Sequence, residues 1–254
     1  MKPNKVLGQN FLKDRRIIAK IINTAKLTEN DIVLEVGPGQ GALTKEIAKK
    51  SKKVIAVEKD ERAVDFLEKE LKDFDNIELV RADILKYNKT DLLKYKVISN
   101  LPFYAGAPII RMFLEDQNPP KQMTLVVQKE VARKICAKDK LSLLAVSVQF
   151  YAEAKLISPI SKKAFWPRPK VDAGLIQLTK KESPKTDKKR FFQIVKMGFA
   201  HPRKQLAGNL SKALKIKKEE VVEALQKNGV NPKARAENLS VKDWIALSNF
   251  FVRV

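Results

Sequence analysis

One junction limits the folds open to this chain of 254 residues more than any other feature. The run Asp31-Ile-Val-Leu-Glu-Val36 predicts a buried strand, and it leads directly into Gly37-Pro-Gly-Gln-Gly41 and a helical stretch from Ala42 to Lys50. Glycines at a strand-to-helix turn let the backbone approach a ligand closely, and the helix N-terminus adds favourable dipoles. The junction therefore predicts a ligand-binding βα unit at the start of a parallel sheet.

Two further predicted strands lead to acidic residues. Val54-Ile-Ala-Val-Glu58 ends about 20 residues after Gly37, the separation at which a carboxylate meets ribose hydroxyls in dinucleotide-binding folds. The strand Ile77 to Arg81 is followed by Asp83, whose carboxylate suits the amino group of a bound adenine but equally suits a helix cap. Because the glycines also satisfy the G-x-G-x-x-G/A fingerprint, an NAD-binding domain remains an alternative at this point.

A third signal is the segment Ser99-Asn-Leu-Pro-Phe-Tyr104, which follows a short apolar run. The Asn100 side-chain oxygen and the Leu101 carbonyl could each accept a hydrogen bond from an exocyclic amine, and Phe103 offers a face for stacking. Pro102 restricts Leu101 to extended backbone conformations, which aims the carbonyl outward. An amine held by two acceptors directs its lone pair toward an electrophile without a strong general base. Taken alone, the segment also fits a capped loop with the ring in the core.

Together these motifs resemble the S-adenosylmethionine-dependent ribosomal RNA adenine dimethyltransferase family. Gly8-Gln-Asn-Phe-Leu12, Gln128-Lys-Glu-Val-Ala132 and Phe165-Trp-Pro-Arg-Pro-Lys-Val171 match further signatures of that family, so the resemblance spans nearly the whole chain. It implies an α/β fold with a doubly wound, mostly parallel, Rossmann-like sheet and a small C-terminal all-α domain. It also implies dimethylation of N6 on two adjacent adenosines near the 3′ end of 16S ribosomal RNA in the small subunit, as a step of ribosome biogenesis.

The resemblance implies roles for individual residues, with S-adenosylmethionine as methyl donor and no metal. By carry-over the donor is bound by Asn10, Leu12, Gly37, Gly39, Gly41, Glu58, Asp83 and Asn100. The residues that act on the target base are Asn100, Leu101, Pro102, Phe103 and Phe165, with the two phenyl rings expected to sandwich it. The family more often has Tyr where Phe103 stands, but stacking needs only the ring, so we expect the role to persist.

The positive charge is concentrated in one segment of the chain. The formal net charge is +22, and the span from Lys180 to Lys218 holds thirteen Lys and Arg against Glu182 and Asp187. Such a field attracts polyanions, although a single charge run is often only a solvated helix face, and abundant Lys also occurs in heat-adapted proteins. We expect RNA to dock on Lys188, Lys189, Arg190, Arg203 and Lys204. The segment Pro202-Arg-Lys-Gln-Leu206 departs from the family's Arg-Arg-Lys-Thr-Leu, yet its presence favours the small-subunit branch over the large-subunit antibiotic-resistance methylases.

The chain is predicted to form two domains. Residues 1–180 form the methyltransferase domain with its N-terminal arm, and residues 188–254 form the small, basic, RNA-docking domain after a polar linker. Later strands of the first domain are expected at Met123 to Gln128, Ala154 to Ile157 and Gly174 to Leu178, the last two forming the antiparallel edge of the resembled fold. Helices of the second domain are expected at Lys188 to Phe199, Arg203 to Leu214, Glu219 to Asn228 and Val241 to Val252.

Several kinds of protein are excluded or disfavoured. Cys136 is the only cysteine and His201 the only histidine, which argues against disulfide frameworks, Cys/His zinc sites and Ser-His or Cys-His catalytic units. Because no apolar signal region follows Met1 and no run approaches membrane-spanning length, we expect a cytoplasmic, monomeric protein without a membrane partner. A DNA adenine methyltransferase and a non-catalytic ribosome-assembly factor remain alternatives, although the intact donor motifs argue against the second.

Overall fold

The computed structural model describes residues 9–87, 92, 94–182 and 184–251. Gly8 of the N-terminal signature, Ser183 of the predicted linker and Val252 at the end of the last predicted helix lie outside the described residues. The chain divides into two compact units, one formed by Met1–Arg133 with Ala152–Lys180 and the other by Lys134–Tyr151 with Lys181–Val254. Each unit has its own apolar core.

The first unit is built on a seven-stranded sheet. Its strands, in spatial order, are β4 (Ile77–Arg81), β3 (Lys53–Glu58), β2 (Ile32–Val36), β5 (Lys96–Asn100), β6 (Gln122–Gln128), β9 (Ala173–Lys180) and β7 (Ala152–Ile160). The first five pair in parallel, and β9 pairs antiparallel with both β6 and β7. The predicted doubly wound, mostly parallel sheet is confirmed.

The strand order reverses beside β2. The chain runs from β2 outward through β3 and β4, then returns to place β5 against the other edge of β2. In open α/β sheets such a reversal opens a crevice at the carboxyl ends of the two strands. The central strands are almost wholly buried, as parallel strands covered on both faces should be. The helices between the arm and residue 135 are α1 (Arg15–Ala25), α2 (Ala42–Ala48), α3 (Glu61–Glu70), α4 (Gly106–Glu115) and α5 (Lys129–Ile135), and α1 precedes β2.

A separate two-stranded ribbon ties the N-terminal arm to the first unit. Strand β1 (Phe11–Leu12) pairs antiparallel with β8 (Phe165–Trp166), so that Phe11 faces Trp166 and Leu12 faces Phe165 in register. The backbone N–H of Lys13 extends the pairing by donating to the Ala164 carbonyl at 2.9 Å. The ribbon therefore brings two predicted signature segments, far apart in sequence, side by side.

The second unit is helical. It contains α6 (Leu143–Tyr151), α7 (Lys188–Gly198), α8 (Leu206–Leu214), α9 (Lys218–Lys227) and α10 (Val241–Phe250) around a core with the fully buried rings of Phe150, Phe191, Trp244 and Phe251. In the described part of the chain, no helix combines the length and the apolar character needed to cross a membrane.

The structure corrects two predicted boundaries. Residues 134–151 were assigned to the methyltransferase domain, but α6 packs in the helical core, where the ring centroids of Phe150 and Phe191 lie 4.2 Å apart. The reason is its composition, because Leu143–Tyr151 is apolar on most sides and must be enclosed by neighbours. The helix predicted from Arg203 begins instead at Leu206, after an exposed turn.

Candidate active site

A pocket with about 160 Å³ of accessible space opens where β2, β3 and β5 end. Its walls come from the turn after each of these strands, from the turn after β4 and from the N-terminal arm. Of the predicted donor-binding residues, those that line it are Asn10, Leu12, Gly37, Gly39, Glu58, Asp83 and Asn100. The crevice at the strand-order reversal is thus the place where most of the predicted site residues meet.

The glycine turn after β2 adopts a backbone that L side chains rarely tolerate. Gly37, Gly39 and Gly41 have φ angles of 65°, 61° and 76°. A Cβ atom on Gly39 would lie 2.8 Å from the Phe11 ring, so the arm closes tightly over the turn. Gly41 is not among the pocket-lining residues, and a Cβ there would meet Leu67 of α3 at 3.0 Å. Its closest packing is therefore with α3.

Glu58 ends β3 inside the pocket and is only 7% exposed. One carboxylate oxygen accepts from the backbone N–H groups of Lys59 and Asp60 at 2.8 and 2.9 Å. The other accepts from the Gly39 N–H through a longer bond of 3.3 Å. Burial raises the pKa of Glu58, and these backbone bonds oppose that shift. These three hydrogen bonds fix the orientation of the carboxylate. The longest of them, and so the weakest, is the bond to Gly39 in the glycine turn.

Glu35 is a pocket residue to which the sequence analysis gave no separate role. It lies within β2, is 2% exposed, and its Oε2 atom has no hydrogen-bond partner among the described residues. Burial, with a smaller contribution from the charge of Glu58, raises the pKa of Glu35 to about 8. The signal was present in the sequence, because an acid inside an otherwise apolar buried strand has few structural reasons to be there.

Asp83 lines the pocket and also caps the turn after β4. Its Oδ1 accepts from the Leu85 backbone N–H at 3.1 Å, and its Oδ2 accepts from the Lys59 ammonium at 2.8 Å. The Lys59 hydrogen bond is the main cause that lowers the pKa of Asp83. Asp83 therefore lines the pocket and caps a turn rather than the expected helix, and Lys59 is a pocket residue that the motifs did not single out.

Asn100 stands at the end of β5 with its side chain fixed on one side only. Its Nδ2 donates to the Asn10 backbone carbonyl at 2.9 Å. Its Oδ1 is buried and receives no hydrogen bond from any described residue. The next backbone N–H, from Leu101, donates to the Val126 carbonyl at 3.1 Å, which anchors the start of the Leu-Pro-Phe segment to β6. The pocket thus contains a preoriented acceptor that lacks a donor.

The two phenyl rings predicted to sandwich a base lie against each other. Their centroids are 5.9 Å apart and their planes meet at 71°, an edge-to-face contact. Phe103 lines the pocket, whereas Phe165 is 4% exposed and is not among the lining residues. The arrangement differs from the predicted sandwich, because a flat base could enter between these rings only if one of them moved. Pro102 and Leu101 line the pocket as expected.

The predicted RNA-docking residues lie in the helical unit and fall into two kinds. Lys188, Lys189, Arg203 and Lys204 are exposed. Arg190 is half-buried, and its Nη2 donates to the Phe251 carbonyl at 2.7 Å, so it joins α7 to the end of α10. Asn209 stabilises the turn that carries Arg203 and Lys204. Its Nδ2 donates to the carbonyls of Gly198 and His201 at 2.7 and 3.1 Å.

Comparison with known sequences gives a consistent match over the whole chain. A protein-family model described as ribosomal RNA adenine dimethylase matches residues 1–253. A ribosomal RNA small subunit methyltransferase A from Bacillus licheniformis is 39% identical over 262 aligned positions, which cover 96% of this chain and 90% of that protein. The protein of the same name from Clostridium botulinum (strain Okra / Type B1) is 38% identical, with 98% and 94% covered.

Solved structures agree with the sequence match. A dimethyladenosine transferase from Plasmodium falciparum is 25% identical, with a TM-score of 0.83 over 96% of this chain and 98% of that one. The 23S rRNA methyltransferase ErmE is 29% identical, with a TM-score of 0.79 over 94% and 98%. The resemblance inferred from the motifs is confirmed. This chain is a methyltransferase that belongs to the ribosomal RNA adenine dimethylase family.

Proposed function

We propose that this enzyme uses S-adenosylmethionine to dimethylate N6 of two adjacent adenosines near the 3′ end of 16S ribosomal RNA in the small subunit, as a step of ribosome biogenesis. The observation that carries the proposal is the Asn100 side chain. Asn100 lines the pocket, and its buried side-chain oxygen has no partner among the described residues, so an exocyclic amine could complete its hydrogen bonding. The relatives named for small-subunit ribosomal RNA support the choice of substrate.

The other half of the pocket suits the methyl donor. When bound, S-adenosylmethionine supplies an electrophilic methyl group on a positively charged sulfur. The carboxyl groups of Glu58 and Asp83 line the pocket, which favours a ligand that carries positive charge and several hydrogen-bond donors. We assign Glu58 to the ribose hydroxyls, because its long bond to the Gly39 N–H is the easiest of its three to exchange. Asp83 is assigned to the adenine amine, so that the amine and the Lys59 ammonium would both donate to its carboxylate.

The target base meets the Asn100–Phe103 segment. An adenine inside a stacked helix cannot present its amine to this pocket, so the nucleotide enters flipped out of its stack. Asn100 Oδ1 and the Leu101 carbonyl each accept one N6 hydrogen, which directs the nitrogen lone pair toward the methyl donor. Phe103 supports the face of the ring. After the methyl group has moved to N6, the surplus proton leaves to water, and no protein base is needed.

The helical unit supplies the contact with RNA. Its exposed cations, Lys188, Lys189, Arg203 and Lys204, suit phosphates rather than base edges, so they position the substrate without reading its sequence. We do not include Arg190 in this surface, because its guanidinium donates a hydrogen bond to the Phe251 carbonyl and so holds α7 to the end of α10. We further propose that the enzyme works in the cytoplasm as a monomer, without a membrane partner.

The alternative substrate is 23S ribosomal RNA, the RNA in the name of ErmE, and the relatives named for the small subunit do not favour it. A DNA substrate would use the same amine chemistry. These options separate in one assay, in which labelled methyl transfer is measured to unmodified small subunits, naked 16S RNA, 23S RNA and short DNA, followed by nucleoside analysis. We expect N6,N6-dimethyladenosine from small-subunit RNA. Label in 23S RNA or DNA alone, or no transfer to any of them, would contradict the proposal.

A further inference from the structure

Strand β8 presents two aromatic rings in very different surroundings. Phe165 is buried beside Phe103, whereas the next residue, Trp166, is 48% exposed. Tryptophan is on average one of the more buried residues, so a half-exposed indole needs a reason. The other tryptophan, Trp244, is fully buried in the helical unit.

The exposed indole is held in place. It stacks on Phe11 with the ring centroids 6.4 Å apart and the planes 29° from parallel. The Lys13 ammonium lies 5.9 Å from its centroid. The backbone pairing of β1 with β8 sets Phe11 and Trp166 directly opposite each other. Because the ring is already ordered, a ligand that stacks on it would lose little further side-chain freedom.

This ring stands close to the pocket. Only Phe11 separates them, since Phe11 lines the pocket and stacks on Trp166. Lys13 makes a second link, because its ammonium donates to the side-chain oxygen of Gln40, another pocket-lining residue, at 2.6 Å. A group bound on the indole would therefore lie next to whatever occupies the pocket.

The charge around the ring selects the kind of ligand. Trp166 lies between four exposed cations along the chain, Lys162, Lys163, Arg168 and Lys170. Within the described residues, Lys163, Arg168 and Lys170 form no ion pair. An aromatic face with unpaired cations before and after it in the sequence, and with the Lys13 ammonium beside the ring, suits a base with its flanking phosphates, as in single-strand binding surfaces.

We propose that Trp166, supported by Phe11 and Lys13, is a stacking platform for an unpaired RNA base that neighbours the target adenosines. The inference rests on the proposed function, because it takes RNA as the substrate, and it adds a subsite outside the methyl-transfer pocket. Holding the neighbouring base on the indole would keep the strand unstacked while the target base stays in the pocket. The platform thus favours substrates that are single-stranded on that side of the target.

The indole itself provides the readout. The chain has two tryptophans and the other is buried, so a base that stacks on Trp166 should quench the exposed part of the intrinsic fluorescence. We expect small-subunit RNA to quench wild-type fluorescence and to leave the fluorescence of Trp166→Phe nearly unchanged. Quenching that persists in Trp166→Phe would place the effect elsewhere and overturn the proposal.

Binding and turnover provide the second test. Trp166→Ala should weaken RNA affinity about 5- to 150-fold, the range expected for one lost stacked base, while Trp166→Phe retains most of it. Donor affinity, melting temperature and the salt dependence of RNA binding should not change, because no phosphate contact is lost. Leu156→Ala, which trims another exposed apolar residue of the same unit, is the matched control and should have no effect.

The outcomes also separate this inference from the proposed function. Wild-type methyl transfer to small-subunit RNA combined with full RNA affinity in Trp166→Ala overturns the platform alone. Loss of donor binding or of melting temperature in Trp166→Ala also overturns it, because Trp166 would then be structural support for the ribbon. Absence of methyl transfer by the wild-type enzyme counts against the proposed function itself.

Discussion

The two units of this protein use charge in opposite ways. The sheet unit buries two carboxyl groups in its pocket, since Glu35 and Glu58 are 2% and 7% exposed. The helical unit places its cations in water, with Arg203 and Lys204 on an exposed turn. Buried charges interact strongly but cost free energy to desolvate, whereas exposed charges interact weakly and are screened by salt. A few fixed groups therefore suit chemistry on a small ligand, and many solvated ones suit docking of a polyanion.

This difference separates the experimental variables. Changes in the pocket should alter catalysis, donor affinity and the response to pH. Changes on the helical surface should alter RNA affinity and its response to salt. A pocket variant that alters the salt dependence of RNA binding, or a helical-surface variant that alters donor affinity, would show that this separation is wrong.

Replacing Asn100 should have the largest effect. Asn100→Ala removes the unpaired acceptor at the pocket wall, and we expect the rate of methyl transfer at saturating substrates to fall about 100-fold or more, the scale for losing one preorganised hydrogen-bonding group. RNA affinity should stay near its wild-type value, since the phosphate contacts lie elsewhere. A rate within a few-fold of wild type would remove Asn100 from its assigned role.

Replacing Glu58 should mainly affect the donor. Glu58→Ala should weaken S-adenosylmethionine binding by about 1.5–3 kcal/mol, the usual contribution of hydrogen bonds to a charged group. Calorimetric titration measures this directly. The matched control is Glu61→Ala, which removes an exposed carboxylate paired with Arg81 and should leave donor affinity unchanged. Equal donor affinity in the two variants would contradict the assignment of Glu58.

Phe103 tests whether the ring alone is needed. Phe103→Ala should reduce methyl transfer by the equivalent of about 1–3 kcal/mol, and Phe103→Tyr should be mild, because stacking depends on the aromatic face. The present edge-to-face contact with Phe165 adds a second expectation. Leucine fills space but offers no aromatic face. If the rings must part to admit a base, Phe165→Leu should therefore recover less of the activity lost in Phe165→Ala than Phe103→Tyr recovers of the activity lost in Phe103→Ala.

Glu35 provides the pH test. Its pKa is raised from 4.5 to about 8, so the folded protein keeps a proton that the unfolded chain has already lost across that interval. The unfolding free energy contributed by this group therefore falls as pH rises from 4.5 toward 8. Glu35→Gln cannot ionise and should gain stability over wild type by up to about 1.4 kcal/mol between pH 6 and pH 7, measured by urea unfolding. A constant difference across that step would mean that Glu35 is ionised in the folded state.

The helical surface provides the salt test. Changing Arg203 and Lys204 together to Glu should weaken RNA binding and make log affinity less dependent on log salt by roughly 1.4–1.8 units, while donor affinity stays unchanged. The same reversal at Lys227 and Lys242, exposed cations of the same unit, controls for a general effect of net charge. An unaltered slope in a folded variant would move the docking surface, for which the arm around Lys13, Arg15 and Arg16 is the next candidate. Loss of donor binding in this variant would show that the basic surface also affects the pocket, which would contradict the separation of effects.

Most strands of the sheet are predictable because the apolar pattern of each segment indicates a strand without reference to the rest of the chain. Strand β4 was predicted with the bounds that it has, and the predicted ends of β2, β3 and β6 lie within a residue of those observed. The buried strands β2, β3 and β6 are nearly continuous apolar runs, so their limits are visible locally. The predicted β7 is too short, because the exposed positions of this strand break the apolar pattern.

Contacts between distant residues were not predictable in the same way. Ribbon β1–β8 consists of two residues on each side, too few for any periodicity. Whether α6 belongs to the sheet unit or to the helical unit depends on which core encloses it. The sequence around α6 carries no signal of a domain boundary. The pocket acids at strand ends were found by spacing, whereas the Lys59–Asp83 pair and the contact between the rings of Phe103 and Phe165 depend on side-chain packing that one sequence does not specify.

The ribbon also bears on how the enzyme is made. The arm is translated early, but Phe11 pairs with a residue about 150 positions later, a separation that makes the contact slow to form. In the same way, the Asn10 carbonyl can accept its hydrogen bond only after Asn100, 90 positions later, has been synthesised. A growing chain therefore exposes the glycine turn and its acids well before it has the strand that closes the arm over them. We expect nascent chains that end before Phe165 to leave the arm undocked, so that the site matures only when nearly two-thirds of the polypeptide has left the ribosome.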